Sequence, residues 1–561
     1  MITRSIILIL SFFLFSTSYL ISQAQYGFGK KQEFLDAFER ISLKYDTTQN
    51  ALKITQQSGF SFLRIMELLE NNHLTRKDKW DIGLLKTQYP SFTDVFSSEN
   101  KQSYFFKRGK IFSFRNNDVS VTVDPLIYFG IGRDRNNKET IFRNSRGISI
   151  SGNLRKKVFF RTSILENQAR YFKHIERRIA NRNAIPGQGF YKRYESGFFD
   201  AISGWDFLNA EGVLTYRPSE YFTARIGHGS FFLGNGYNSL LLSDYSDNFF
   251  FLELNTSIGI FNYKNIFAEL APIGSTIDQV GDPLAPKKYM ATHYLSVVLS
   301  KKLEISLYES VVFGRENNFE FQYLNPLILY RVVEQKLDSP DNVMLGLDIN
   351  YKVSDKTKTY CQFLIDEMRV GELFSGSGWW GNKVGYQFGA KHFGLFGIDH
   401  LDVQAEFNTV RPFTYAHRAT NGLDYSIASY SHYNQELAHP LGANFREVLF
   451  LWKYRISQKC SIKGKLLRTE VGKSKTTNIG QDILLSTDTR ENDYLNKTGQ
   501  GVSSNIFQFS SVLSYHISHS YYTDLQFLYR NEQSKSEDFD VKSMYFGISF
   551  RANMSQQKLD Y

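Results

Sequence analysis

Between residues 341 and 369 the chain changes polarity at almost every step. Val343, Leu345, Leu347, Ile349 and Tyr351 fall on one side; Met344, Gly346, Asp348 and Asn350 fall on the other. A period of two with one apolar face predicts a half-buried strand. After Ser354-Asp355-Lys356 a second arm follows, with Cys361, Phe363 and Ile365 opposing Tyr360, Gln362 and Asp366. Each arm has the length that a tilted strand needs to cross a bilayer, roughly 9 to 11 residues.

The same plan recurs from about residue 109 to the end. Val119, Val121 and Val123 open it, and further strands are predicted near 139–151 and 156–166. Phe250, Leu252, Leu254 and Ile258 oppose Glu253, Asn255 and Ser257, while Leu401, Val403, Ala405 and Phe407 oppose Asp402, Gln404, Glu406 and Asn408. Near the end Thr523, Leu525, Phe527 and Tyr529 oppose Asp524, Gln526 and Arg530; Met544, Phe546, Ile548 and Phe550 oppose Ser543, Tyr545, Gly547 and Arg551. A polar second face in so many strands requires an interior that is wet or plugged.

Connections sort into two alternating classes. Short turns fall near 152–155, 217–220, 259, 300, 354–356, 394–397, 456–457 and 518. Long loops fall near 132–138, 167–203, 231–246, 271–287, 314–340, 370–380, 409–443, 471–502 and 532–539. Strict alternation gives nine hairpins: an all-β, 18-stranded antiparallel transmembrane β-barrel with both ends on the short-turn side, 16 strands being the alternative count. Every long loop is then expected on the outer surface, where function concentrates.

Residues 25–108 have a different texture, with apolar positions at helical spacing: Phe34, Phe38 and Ile41, then Leu63, Met66 and Leu69, then Trp80, Leu84 and Leu85. They predict a small helical periplasmic region ahead of a barrel at 109–561. Before it, Arg4, an apolar run from Ser5 to Ile21 and Ser22-Gln23-Ala24 form a signal peptide expected to be cleaved after Ala24, which directs the chain to the outer membrane.

Composition agrees. Tyr and Phe number 34 and 49 and aromatics reach 16%, which suits membrane-interface girdles. The mean hydropathy of −0.34 fits a polar interior behind a thin apolar skin. No stretch after residue 24 has 18 consecutive apolar residues, which excludes a helical membrane protein. Cys361 and Cys460 are the only cysteines, each on an apolar strand face, and read as packed thiols. The net charge of +10, or +9 without the signal, favours acidic partners: lipopolysaccharide phosphates or an anionic surface polysaccharide, not nucleic acid.

Candidate chemistry lies in three loops. Loop 167–203 sets Arg170, Lys173, Arg177, Arg178, Arg182, Lys192 and Arg193 against Glu176, Glu195 and Asp200, with Phe172, Ile175 and Ile179 at helical spacing. It reads as a short basic helix that holds anionic sugar, or equally as a plug or a loop packed on lipopolysaccharide. Loop 231–246 carries Gly234-Asn235-Gly236-Tyr237-Asn238-Ser239 after Gly227-His228-Gly229, a pattern rich in hydrogen-bonding groups and also in ordinary turn chemistry. The pair Trp379-Trp380 suits stacking on sugar rings or an interfacial girdle. The sequence contains no Walker loop, zinc spacing or Gly-x-Ser-x-Gly elbow, so no cofactor and no catalysis are expected. His228, among glycines and a serine, is the one residue that would suit a lipase-like site.

Three pieces of the barrel resemble a known family: Arg225-Ile226-Gly227-His228 with Gly234 through Ser243, the strand pair 293–314, and Asn342 through Asp348 leading to Tyr360–Asp366. They are similar to the capsule assembly family called Wzi, and within it to the branch of the gliding motility protein RemB. The resemblance covers most of the chain from about residue 100. It implies an 18-stranded outer-membrane barrel with a helical bundle at the periplasmic end, which binds or organises capsular or slime polysaccharide, supports its attachment and serves gliding, with other cell-envelope or motility proteins as further partners. The family's Trp-Trp-Gly element is replaced here by Phe231-Phe232-Leu233-Gly234, which puts the same sugar specificity in doubt and favours the RemB-like branch. The alternative is an outer-membrane pore for small solutes or oligosaccharides.

Overall fold

The computed structural model describes residues 25–26, 39–40, 43, 60–61, 102–107 and 109–555, except 156, 196–202, 220, 273–286, 316–317, 420–425 and 537–538. The signal segment and the apolar positions cited for the N-terminal helices lie outside the described residues. Of the first predicted helix, Glu39, Arg40 and Leu43 are described and are helical.

Eighteen antiparallel strands close into a barrel. They are β1 (Val119–Asp134), β2 (Glu139–Leu154), β3 (Val158–Arg170), β4 (Gly204–Tyr216), β5 (Phe222–Gly229), β6 (Phe249–Ile258), β7 (Phe261–Leu270), β8 (Lys288–Val298) and β9 (Leu303–Phe313). The second half comprises β10 (Asn342–Ser354), β11 (Thr357–Glu367), β12 (Lys383–Phe393), β13 (Leu401–Val410), β14 (Phe445–Arg455), β15 (Cys460–Lys473), β16 (Val502–Ser518), β17 (Tyr521–Ser534) and β18 (Val541–Ala552). β18 pairs with β1 from Tyr545 opposite Asp134 to Ala552 opposite Ile127, which seals the cylinder and leaves no open edge along that span. Below the seam a hairpin of Gln102–Lys107 and Lys110–Arg115 continues the sheet from the free part of β1.

The alternation read from sequence is the alternation of the wall. On β10, Leu345 and Tyr351 are exposed outward while Met344, Asp348 and Asn350 are buried inside. On β17 and β18, Leu525, Phe546 and Ile548 face out and Asp524, Ser543 and Arg551 face in. Both cysteines are free thiols. All eight short turns stand where the alternation placed them. Two of the nine long connections are short as well: 135–138 and 535–540. In the first, the carboxylate of Asp134 accepts from the Asn136 backbone at 3.1 Å and the Asn137 side chain at 2.8 Å, which folds the chain back at once.

The largest apolar cluster lies inside the barrel. Inward residues such as Phe251, Met290, Tyr308 and Leu449 pack on Leu240, Leu241, Leu242, Tyr415 and Leu437 from the connections 230–248 and 411–444. The expectation that every long loop lies on the outer surface is therefore corrected: these two turn inward and fill the lumen. A third, 314–341, folds over the outer wall. Leu240, Leu241 and Leu242 of the first, and Tyr415, Tyr430 and Leu437 of the second, lose their contact with water by packing there.

Candidate functional site

The plug is fastened at its centre by β11 to β14. Gln362 accepts from the Leu240 backbone at 2.9 Å and donates to the Leu233 carbonyl at 3.1 Å. Glu406 accepts from the Tyr237 backbone at 2.6 Å, the Asn238 backbone at 3.3 Å and the Tyr360 hydroxyl at 2.7 Å. Asn238 donates through its side chain to Glu447, which also meets His439 at 3.0 Å. The Tyr415 and Tyr430 hydroxyls donate to the carbonyls of Leu240 and Leu241, tying the two inward loops together. Asn235, Tyr237 and Asn238 are thus engaged inside the barrel.

Lys358 joins this plug to the other end of the chain. Its ammonium donates to Asn235 Oδ1 at 3.1 Å and forms an ion pair with Glu39. Glu39 also pairs with Lys391 at 3.1 Å, and Arg40 reaches His400 at 2.9 Å. Burial alone would raise the Glu39 carboxyl, but Lys358 and Lys391 overcome it and hold the group down at about 2. Glu39 and Arg40 are therefore held at the short-turn mouth.

At the opposite mouth lies α1 (Lys173–Arg182). Its spacing is as predicted: Phe172, Ile175 and Ile179 are buried, and Asn183 ends the helix in a left-handed conformation. The basic residues divide by face. Arg178 donates to Glu436 at 2.6 Å and to the Pro440 carbonyl at 2.7 Å; Arg182 bonds Glu436 at 3.0 Å and also pairs with Asp482. Burial works against both guanidinium charges, but the facing carboxylates outweigh it and raise both pKa values. Arg178 and Arg182 are thus committed to joining α1 to the connections 411–444 and 474–501. Lys173, Arg177, Lys192 and Arg193 remain exposed and Arg170 is half-buried.

Trp379 and Trp380 sit in the connection 368–382, at the same end of the barrel. The Arg369 guanidinium lies 4.5 Å from the Trp379 ring centroid and that of Arg490 lies 4.3 Å from the Trp380 centroid. Lys383 approaches the Trp380 ring at 5.2 Å. Arg369 and Arg490 were not singled out from sequence; Arg490 is far along the chain, and no spacing signals its stacking. His228 is exposed on the outer face of β5, opposite Phe250, and the wall separates it from Asn235, Tyr237 and Asn238. The structure therefore gathers Arg170, Lys173, Arg177, Trp379 and Trp380 at one mouth. It places Arg178, Arg182, Asn235, Tyr237 and Asn238 in the packing of the plug.

No family model and no curated protein sequence matches the chain. Its structure is similar to that of Wzi, an outer membrane protein involved in group 1 capsule assembly in Escherichia coli and described as a carbohydrate-binding β-barrel. The TM-score is 0.52 at 11% identity, over 93% of this chain and 98% of that one. Fainter likenesses join it to OprD of Pseudomonas aeruginosa, with a TM-score of 0.40, 9% identity and 77% and 94% of the two chains. They extend to OccAB2 of Acinetobacter baumannii, with a TM-score of 0.41, 8% identity and 78% and 99%. At such identities the likeness to Wzi is one of fold: this chain has the 18-stranded barrel of an outer-membrane protein.

Proposed function

We propose that this chain is an outer-membrane protein that holds an anionic surface polysaccharide, capsular or slime, at the cell surface without covalent chemistry. The observation that carries the reading is the division of the basic loop. Two of its arginines lock the plug while Lys173 and Arg177 stay exposed at a mouth that also presents Trp379 and Trp380 beside stacked cations. Exposed cations attract a polyanion, and aromatic faces suit sugar rings. The fold likeness to a carbohydrate-binding barrel points the same way. Phe231-Phe232-Leu233-Gly234 lies where the resemblance placed Trp-Trp-Gly, and the burial of Phe231 and Leu233 supports the rim over that loop as the sugar-binding face. Retention of slime is also how such a protein would serve gliding motility, with motility or envelope proteins as partners.

The filled lumen weighs against a pore. Purified protein should bind an acidic polysaccharide and leave neutral dextran, with affinity that falls as salt rises. Lys173→Ala/Arg177→Ala should weaken binding while leaving the fold intact. Equal binding of neutral and acidic polymers by this variant and the natural chain would overturn the proposal.

A further inference from the structure

The connection 314–341, between β9 and β10, neither stands above the barrel nor turns into it. Its Tyr323 and Tyr330 are fully buried against Val311 and Phe313 of β9 and Val343 of β10. These strand residues share parity with Leu307 and Leu345, which are exposed on the outer wall, whereas Tyr308, Val312 and Met344 of the other parity line the inner cluster. The segment is therefore strapped to the outside. It also reaches down: Tyr263, the third residue of β7 from its short-turn end, donates its hydroxyl to the Pro326 carbonyl. From Leu270 at the top of β7 to Tyr263 is seven residues. That is about 23 Å along a strand at 3.3 Å per residue, or roughly 16–19 Å of height at the usual tilt, well within the apolar band of such barrels.

Sequence and exposure fit that depth. Residues 321–330, Phe-Gln-Tyr-Leu-Asn-Pro-Leu-Ile-Leu-Tyr, contain no charge. Phe321, Leu327 and Leu329 are exposed, Leu327 at 89%. The charges flank this stretch: Arg315 forms a two-pronged pair with Asp341 at 2.7 and 2.6 Å where the connection leaves and rejoins the wall, and Arg331, just past the apolar run, pairs with Glu334. An uncharged segment with its leucines turned outward is unsuited to water and suited to lipid.

Beneath it lies the reason for a cover. Asn265, His293 and Glu309 are register partners across β7, β8 and β9, point outward, and are nevertheless buried. His293 Nδ1 lies 3.6 Å from Glu309, the Tyr330 ring stacks on His293 at 4.0 Å, and the Arg331 backbone donates to Glu309 at 3.2 Å. Bare to acyl chains, this polar row would be costly.

We propose that residues 321–330 are immersed in the acyl-chain layer of the membrane, where they form a lipid-facing cover over the Asn265–His293–Glu309 row. The inference rests on the reading of the chain as a membrane barrel, and the test separates the two. In a Cys361→Ala/Cys460→Ala background, Leu327→Cys carries a nitroxide in protein reconstituted into phosphatidylcholine vesicles. Collision with oxygen, which concentrates in lipid, is compared with collision with a water-soluble nickel chelate. Leu307→Cys on the bare wall and Leu495→Cys on connection 474–501 are the references. The expected result is an oxygen-to-nickel ratio that matches Leu307 and opposes Leu495; Phe321→Cys and Leu329→Cys should repeat it. A dry Leu307 with nickel-accessible strap positions overturns the strap alone. Occlusion of the strap from both reagents, as in a contact with a second copy, also overturns it. A wet Leu307 overturns the membrane reading and the strap with it.

Discussion

Glu436 is the residue on which closure of the outer mouth turns. It is almost completely buried and takes Arg178 at 2.6 Å and Arg182 at 3.0 Å, so Glu436→Ala leaves two guanidinium groups facing a void. Removing one partner of a buried ion pair costs about 3–5 kcal/mol. Part of that is recovered here, because Arg178 keeps the Pro440 carbonyl and Arg182 keeps Asp482. A loss of about 2–4 kcal/mol remains, or roughly a 30- to 700-fold rise in the population with α1 undocked at about 1.4 kcal/mol per tenfold. Hydrogen exchange in micelles reads it directly: amides of α1 and of residues around 430–440 should exchange faster by that factor, while β10 to β14 keep their protection. Arg177→Ala, at an exposed position, is the control and should shift exchange by under about 0.5 kcal/mol. Unchanged exchange in α1 would show that Glu436 does not hold the helix down. Loss of protection in α1 and the wall together would also contradict that role, since the ion cluster would then belong to the cooperative barrel.

Other outcomes follow from the same geometry. Glu39 is held at about 2 against its ordinary 4.5, so what its ion pairs contribute to docking Glu39 on the barrel is complete above 4.5 and disappears as pH falls toward 2; protease access around residues 39–43 should rise over that window, and flat access would contradict it. Burial holds His417 neutral, down to about 4, and His432 down to about 3, so docking of the connection 411–444 should weaken as pH falls below 6.5, by up to about 1.4 kcal/mol per pH unit for each. Exchange of that loop at pH 7 and pH 5 measures it, and equal rates would count against neutral burial. Gly234 has φ +129°, and a Cβ there would stand 2.1 Å from Gln362 Nε2, so Gly234→Ala should loosen the plug by about 1–3 kcal/mol, seen as faster exchange at Leu240 and Leu241. In planar bilayers the natural chain should conduct little and Glu436→Ala more; a large steady conductance of the natural chain would restore the pore.

The wall was legible because its signal is repeated. A period of two in strand after strand, with Leu345 out and Asp348 in, leaves one solution for register and face. The direction in which each loop folds was not legible. Leu240-Leu241-Leu242 and Phe-Gln-Tyr-Leu-Asn-Pro-Leu-Ile-Leu-Tyr are both apolar, yet one fills the lumen and the other covers the outer wall. That choice depends on which strand residues, Gln362 or His293 and Glu309, lack a partner on each side. The basic loop shows the same limit: helical spacing predicted α1, but only Glu436 and Asp482, distant in sequence, turn Arg178 and Arg182 from surface cations into internal ties.

If the barrel holds polysaccharide by its rim, the balance of cell-attached and shed polysaccharide must depend on it. Three strains are needed: one with the natural chain, one without it, and one with Lys173→Ala/Arg177→Ala/Trp379→Ala. Polymer should move from cells to medium in the second and third strains while the variant barrel still reaches the membrane. Unchanged attachment in a strain that lacks the chain would contradict it.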